Sequence, residues 1–311
     1  MADINIKDLN ELAKRDPGKM IADSEWIYHD RVRRIAERVV ENDEIRLILL
    51  AGPSGSGKTT TANLVADAIR LMGEEALVIS LDNFYRDLDD PKYPKNENGE
   101  RDSECPESLD IAKIHRVLDD ILNKRAFSIP RFDFKIGRCA GMTEYARMER
   151  GCVIIEGLHA LNPLITDSLP YNSVLKMFIS VSTNIDCDGR RILSGRKIRF
   201  VRRLVRDAIY RGATAEKTLS MWRGVLAAED VYLYPYRSFA DITFDTFHEF
   251  ELGVMKKYVE KLITAELAGA DDYVATVRDA MSMVAGIDEK LIPENSLIKE
   301  FVVGGIYESL Y

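Results

Sequence analysis

Residues 52–59 read Gly-Pro-Ser-Gly-Ser-Gly-Lys-Thr. The pattern G-x-x-x-x-G-K-[ST] suits a chain of phosphates, and its spelling has physical reasons. Gly52, Gly55 and Gly57 let the backbone curl until several N–H groups converge on one anion. A helix starting there adds its positive N-terminal end. Lys58 offers a point charge to the β- and γ-phosphates, and Thr59 a hydroxyl to Mg²⁺. Gly52, Ser54, Gly55, Ser56, Gly57, Lys58, Thr59 and Thr60 are therefore the expected phosphate site of a nucleoside triphosphate. The loop alone does not separate a kinase from a GTPase or a motor.

Other groups could complete such a site. Asp82 follows the apolar run 76–81. A carboxylate at the carboxyl end of a strand, where open α/β sheets bind ligands, can deprotonate a hydroxyl attacking the γ-phosphate or hold Mg²⁺. Asp82 and Asn83 also favour turns, so a local cap is the ordinary alternative. Glu156 closes the run Cys-Val-Ile-Ile at 152–155. An acid ending a buried strand can reach Mg²⁺ directly or through water, and Gly157 allows close approach to phosphate.

Segment 190–211 carries nine basic residues, Arg190, Arg191, Arg196, Lys197, Arg199, Arg202, Arg203, Arg206 and Arg211, against one acid, Asp207. On a helix Arg199, Arg202, Arg203 and Arg206 share a face. Crowded like charges repel unless an anion lies among them. The segment therefore reads as a mobile lid that neutralises the triphosphate and excludes water. The rival, an RNA-binding patch, would call for aromatics interleaved throughout, where the segment has only Phe200 and Tyr210. In Pro130-Arg-Phe-Asp-Phe-Lys-Ile-Gly137, Phe132 and Phe134 alternate. They suit an edge strand packed on the core, or a surface for a flat acceptor such as a base or sugar, and spacing does not choose.

The elements that must position these groups alternate along the chain. Residues 1–44 read as one or two helices packed on the core. Strands are expected at 45–51, 76–80, 152–155, 174–181 and 240–244. Helices are expected at 57–72 and 109–123, through 186–230 with a basic centre, and after 245 to about 286. Residues 86–106, rich in Asp, Pro, Asn and Glu, form a loop too long for a mere connector. Such alternation implies a parallel sheet with helices on both faces.

The chain has 311 residues, 46% of them hydrophobic, which allows one large α/β domain with appendages or two small domains. A net charge of −8 argues against nucleic acid as partner of the whole surface. No apolar stretch approaches the length of a membrane span, and the N-terminus lacks a signal-peptide core. Cys105, Cys139, Cys152 and Cys187 are scattered, as in reduced thiols of a cytoplasmic protein. The four histidines lack ligand spacing, which speaks against zinc.

Several motifs in order resemble the uridine kinase and phosphoribulokinase family of P-loop kinases, over roughly residues 45–262. They are Gly-Pro-Ser-Gly-Ser-Gly-Lys-Thr-Thr at 52–60, Ser-Leu-Asp-Asn-Phe-Tyr at 80–85, Pro-Glu-Ser-Leu-Asp at 106–110 and Pro-Arg-Phe-Asp-Phe at 130–134. Ile-Glu-Gly-Leu-His at 155–159, Arg-Arg-Leu-Val-Arg-Asp at 202–207, Arg-Gly-Ala-Thr-Ala-Glu at 211–216 and Ala-Asp-Ile at 240–242 follow. The resemblance implies a doubly wound, mainly parallel P-loop core with a basic helical lid at about 186–215. Its span sets a kinase domain at 45–262, which leaves the helix-prone flanks as a helical extension at 1–44 and a second at 263–311.

The resemblance also implies roles. ATP and Mg²⁺ would be used, with Thr59, Asp82 and Glu156 near the metal. Asp82 would deprotonate a sugar 5′-hydroxyl. Lys58, Arg203 and Arg206 would stabilise the transferring phosphoryl group, with Arg211 also reaching the phosphates. Tyr85 and Glu104 would line a nucleoside site, Phe132 and Phe134 would flank the base, and Asp133 would hold the ribose side or its own loop. A homo-oligomer is compatible with the family.

The chain departs from the family's pattern at the base. Gly137, followed by Arg138, stands where uridine–cytidine kinases carry a base-reading histidine. Phe132 replaces a tyrosine, and Cys105 after Glu104 replaces another histidine. A site lacking a hydrogen-bond partner discriminates bases poorly or reads a different ligand. A bacterial uridine kinase-like branch is similar also at Thr218-Leu-Ser-Met-Trp222 and in the tail 293–305. Many of its members carry a threonyl-tRNA-synthetase-like region, for which the 44 residues before the first strand are too few.

The expected activity is ATP-dependent phosphorylation of a nucleoside, uridine first. The rivals are a kinase of a phosphorylated pentose or polyol, with Arg131, Lys135 and Arg138 as the basic pocket, and a nucleotide sensor. A pure sensor has no use for Asp82. A GTPase switch is less favoured still, since no Asn/Thr-Lys-x-Asp motif is present.

Overall fold

The computed structural model describes residues 3–96 and 98–310. In chain order the strands are β1 (Asp3–Asn5), β2 (Leu47–Ala51), β3 (Ala76–Ser80), β4 (Phe127–Asp133), β5 (Arg138–Tyr145), β6 (Cys152–Glu156), β7 (Val174–Ser180), β8 (Asn184–Cys187), β9 (Arg190–Leu193) and β10 (Ile242–Asp245). The helices are α1 (Ile6–Arg15), α2 (Pro17–Val40), α3 (Lys58–Leu71), α4 (Ile111–Leu122), α5 (Pro163–Thr166), α6 (Gly195–Arg211), α7 (Ala215–Tyr232), α8 (Glu251–Leu262), α9 (Ala265–Ala270) and α10 (Asp272–Ser282).

Every residue of β2 is apolar and buried. Such a strand belongs inside a parallel sheet covered on both faces. The sheet runs β10–β7–β2–β6–β3, all parallel. The two-residue period of the strand divides the core. Ile48 and Leu50 join an apolar cluster with α2, α3, α6, α8 and α10, while Leu47, Leu49 and Ala51 join a second with α4, α5 and β4. The α/β expectation is met, with helices on both faces. No helix among the described residues is long and apolar enough to cross a membrane.

One expectation is corrected, and the packing adds detail to the others. Residues 184–193, expected to be helical from 186, form the antiparallel hairpin β8–β9, with β1 added in parallel to β8. Its two-residue turn, Asp188-Gly189, has positive φ at both positions (49° and 77°), the geometry that matches strand twist. Strand β5, which pairs with β4, was not anticipated. Packing crosses the expected divisions at 44/45 and 262/263. Tyr28, Val32 and Ile35 from α2, and Leu297, Ile298, Phe301 and Val302 from the tail, share one cluster with Ile48 and Leu50. After α10 the described chain has only short 3-10 turns, at Glu289–Leu291, Leu297–Glu300 and Glu308–Leu310, so the C-terminal extension is helical only in its first part.

Candidate active site

Three neighbouring strands deliver the phosphate loop and both acids. The loop follows β2, Glu156 ends β6, and Asp82 lies just past β3. In register Glu156 stands beside Leu50 on one side and Ser80 on the other. These are the carboxyl ends of the sheet, where such folds bind ligands. Gly57 caps α3 with φ 85°, which a side chain would strain, and Leu297 would meet its Cβ at 2.6 Å. At Gly52 an added Cβ would lie 2.5 Å from the Ile179 carbonyl oxygen.

The loop's carbonyls are tied from outside. Arg199 Nη1 donates to Ser54 O (2.8 Å), Arg202 Nη1 to Gly55 O (3.2 Å) and Thr246 Oγ1 to Ser56 O (2.8 Å). Glu229 Oε1 accepts from the Ser54 N–H (2.9 Å). Behind these contacts lie two fully buried ion pairs. Arg199 meets Glu229 through two 2.8 Å bonds, and Arg202 meets Glu251 at 2.9 and 2.6 Å. Fixing the carbonyls fixes the peptide planes, and with them the direction of the loop amides.

The mobile-lid reading of 186–215 is therefore corrected for its first half. Arg199, Arg202, Arg203 and Arg206 do share the face turned to the loop. Arg199 and Arg202, however, are neutralised by acids far along the chain, and most of α6 up to Asp207 is buried. A helix apolar or paired all round is a core helix. The last turns differ. Arg203 Nη1 donates to Ser54 Oγ (3.0 Å), and Arg203, Arg206 and Arg211 gather around buried Asp207 at 3.2, 3.5 and 3.1 Å. Arg206 also lies 3.6 Å from Glu300, so three guanidinium groups share two buried carboxylates and net positive charge stays beside the loop.

Lys58 lies back on Pro53 O (3.2 Å), and Thr59 Oγ1 donates to Glu156 Oε1 (3.4 Å). Burial lifts Glu156 to about 7; Lys58 opposes the shift and Asp82 adds to it. Asp82 keeps an exposed surface. Protein nonetheless closes round it enough that lost hydration raises its pKa, against the pull of Lys58, Arg211 and Arg206. The turn at Leu81–Phe84 is capped by the Ser80 hydroxyl, which accepts from the Asp82 N–H (3.3 Å). The capping alternative for the Asp82 side chain is thus not needed. One hydroxyl and two carboxylates make an oxygen donor set suited to Mg²⁺, and a cation would relieve the desolvated Glu156. Among the described residues no group of three or more His, Cys, Asp or Glu could hold a metal alone. Mg²⁺ would share its sphere with phosphate and water, as it commonly does.

On the acceptor side, Tyr85, Phe132 and Phe134 form a three-ring cluster with centroids 5.0–5.8 Å apart. Phe134 is 65% exposed, an open apolar face beside Asp82, whose charge is felt by Tyr85. Burial raises the Glu104 pKa while Arg203 lowers it, so Glu104 faces the basic end of α6. Asp133 shapes its own turn: its Oδ1 accepts from Lys135 N and its carbonyl from Gly137 N, both at 2.8 Å. Arg138, expected at the acceptor, is instead paired with Asp89 (2.8 Å). Gly137 has φ 68°, and an added Cβ would lie 2.3 Å from Leu88 Cδ1. Leu88 fills the place where a histidine would stand.

Sequence reasoning missed Glu229, Glu251, Thr246 and Glu300, and gave His159 no role. His159 is buried, held near pKa 4 mainly by that burial, and interacts with the Glu104 backbone. Thr60, expected on a phosphate, donates to Glu300 (2.9 Å).

Residues 47–252 match the family model described as "Phosphoribulokinase / Uridine kinase family". The uridine kinase of Schizosaccharomyces pombe is 31% identical over 169 residues, 54% of this chain and 33% of that protein. That of Halobacterium salinarum is 27% identical over 195 residues, 62% of this chain and 76% of that protein. That of Lactobacillus helveticus is 25% identical over 197 residues, 63% and 84%. The chain thus spans a third of the first relative's length and most of the other two. Among solved structures, the D-glycerate 3-kinase of Cryptococcus neoformans var. grubii aligns with a TM-score of 0.42 at 13% identity, covering 67% of this chain and 87% of that one.

Proposed function

The chain belongs to the phosphoribulokinase and uridine kinase family of phosphotransferases that act on an alcohol group, and from that premise we propose that it moves the γ-phosphoryl group of ATP to the 5′-hydroxyl of a nucleoside, uridine first. The observation that carries this reading is the setting of Asp82. Its carboxylate, not used as a turn cap, has Lys58, Arg211 and Arg206 as electrostatic neighbours, and its charge is also felt by Tyr85 of the ring cluster.

In this mechanism the acceptor hydroxyl donates its proton to Asp82 as the oxygen attacks phosphorus. The raised pKa of Asp82 makes it a better proton acceptor than an ordinary aspartate. Lys58, Arg203, Arg206 and Arg211 neutralise the charge that spreads over the transferring group. Thr59 and Glu156, with Asp82 nearby, would hold Mg²⁺, which when bound would supply positive charge against the phosphates. The rings of Tyr85, Phe132 and Phe134 would bind a flat base by stacking. With Gly137 covered by Leu88, no side chain at that position reads the base's edge, so discrimination among bases should be weak. A kinase of a phosphorylated pentose or polyol is the alternative; of its basic pocket, Arg138 pairs with Asp89 at the surface. The four cysteines are free thiols, as suits a reducing cytoplasm.

The test is ADP release from Mg-ATP with uridine, cytidine, purine nucleosides, ribulose 5-phosphate and simple polyols, using Asp82→Asn as control. Turnover with uridine that falls by about 10²–10⁴-fold in the variant is expected. Turnover only with a polyol or phosphorylated sugar would replace the acceptor, and full activity in Asp82→Asn would remove the base.

A further inference from the structure

We propose that Glu300, on the C-terminal segment 294–305, is a residue of the nucleotide site that competes with the nucleotide's own phosphates for Thr60 and Arg206. The inference rests on the reading above that loop 52–59 binds a nucleoside triphosphate.

Glu300 is 4% exposed. Its Oε2 accepts from Thr60 Oγ1 (2.9 Å) and, more loosely, from the Thr60 N–H (3.4 Å); its Oε1 lies 3.6 Å from Arg206 Nη1. Thr60 is the third residue of α3. Its amide is one of those a helix leaves without an internal acceptor, and the ones a phosphate uses at such a terminus. Arg206 is a basic group of the last turns of α6. One carboxylate therefore engages an amide, a hydroxyl and a guanidinium that a phosphate would engage together.

The segment carrying it is seated on the loop. Leu297 covers Gly57, and Phe301, fully buried, lies under the Arg202 guanidinium at 5.0 Å. The strap is fastened at its far end, where Tyr210 OH donates to Val302 O (3.1 Å) and Tyr307 bonds to Asp67 on α3. Lys58, the loop's own cation, is folded back on Pro53 O (3.2 Å). A triphosphate brings several negative charges to donors already holding one. Like charges a few ångströms apart in a partly dry site repel strongly. Entry of the nucleotide must displace Glu300 or share its donors at a cost, so this carboxylate lowers nucleotide affinity.

Mg-ATP is titrated calorimetrically into the full-length wild type and Glu300→Gln, which keeps shape and removes charge. Backbone hydrogen exchange of residues 294–305 is followed in the wild type with and without Mg-ATP. The expected result is binding about tenfold tighter in the variant, with faster exchange in the strap when ATP is present. Equal or weaker binding by Glu300→Gln, or strap amides that exchange more slowly with ATP, overturns the inference and leaves the nucleotide reading intact. Failure of both proteins to bind Mg-ATP overturns the nucleotide reading, and the inference with it.

Discussion

Removing the Glu251 carboxylate should do more damage than removing any surface acid. Arg202 is fully buried and spends every donor. Nε and one Nη2 proton go to Glu251, the other Nη2 proton to Thr246 O (2.7 Å), and the two Nη1 protons to Thr246 Oγ1 and Gly55 O (both 3.2 Å). Glu251 Oε2 also accepts the His248 N–H (2.8 Å). Glu251→Ala leaves an uncompensated guanidinium in the core, a change that costs about 3–5 kcal/mol. At ~2–4 °C per kcal/mol for a protein of this order of size, Tm should fall by roughly 6–20 °C. Chemical and thermal unfolding measure this directly. The paired change Arg202→Met with Glu251→Met should recover most of the stability, because apolar replacement of a whole buried pair is often neutral. It should not recover Mg-ATP binding, because the Gly55 carbonyl and Thr246 lose the group that holds the loop. A Glu251→Ala protein within about 1 kcal/mol of wild type would refute the account of the pair as a buried, fully engaged charge. A stable double variant with native ATP affinity would refute the account of the loop.

Three further outcomes are expected. Glu156 titrates near 7 when folded, against 4.5 for an unperturbed glutamate. The folded state then binds more protons than the unfolded state between those values, so this group makes stability fall as pH rises through that window. Mg²⁺ needs the ionised carboxylate, so its apparent affinity should rise over the same range. Glu156→Gln should flatten both profiles, and unchanged slopes in the variant would sink the assignment. Gly137→Ala should cost about 1–2 kcal/mol from positive φ alone, before Leu88 is moved. Urea unfolding reads this, and a Gly137→His protein as stable as wild type, with sharpened uridine selectivity, would contradict the packing described. Phe134→Ala should raise the acceptor KM by about 5–100-fold, the range of one base–aromatic stack, while Tm stays near wild type because the ring is exposed. An unchanged KM would leave the rings without a role in acceptor binding.

What could be read before folding is what lies within a few residues along the chain. The phosphate loop, Asp82 and Glu156 each sit inside or just after an apolar run, and parallel pairing of those runs brings all three together. The alternation of Phe132 and Phe134 left core packing and an acceptor surface equally open, and only the family resemblance put Tyr85 with them; the three-ring cluster is a result of the fold. The hairpin at 184–193 was readable too, since Asp188-Gly189 is a strong turn signal. A count of basic charge outweighed it. That count also misjudged α6, because it looked for acids within the segment. The acids that matter for Arg199 and Arg202 lie 30 and 49 residues further on, and the one facing Thr60 lies 240 residues away. Ion pairs of that separation follow from tertiary packing and leave no periodic trace.

The same error shows how one helix can serve both structure and chemistry. Arg202 and Arg203 are neighbours in sequence, and successive residues on a helix point about 100° apart. That rotation sends Arg202 to Glu251 and the Gly55 carbonyl, and Arg203 to Asp207 and the Ser54 hydroxyl. The first direction meets an acid for each base and stiffens the loop. The second meets two acids, Asp207 and Glu300, for three bases and keeps net positive charge beside the loop. An arginine-rich helix therefore has charge to offer a nucleotide only where the fold has not already paired it. Here that leaves the last two turns of α6, and it leaves Glu300 as the anion that a nucleotide must outcompete to use them.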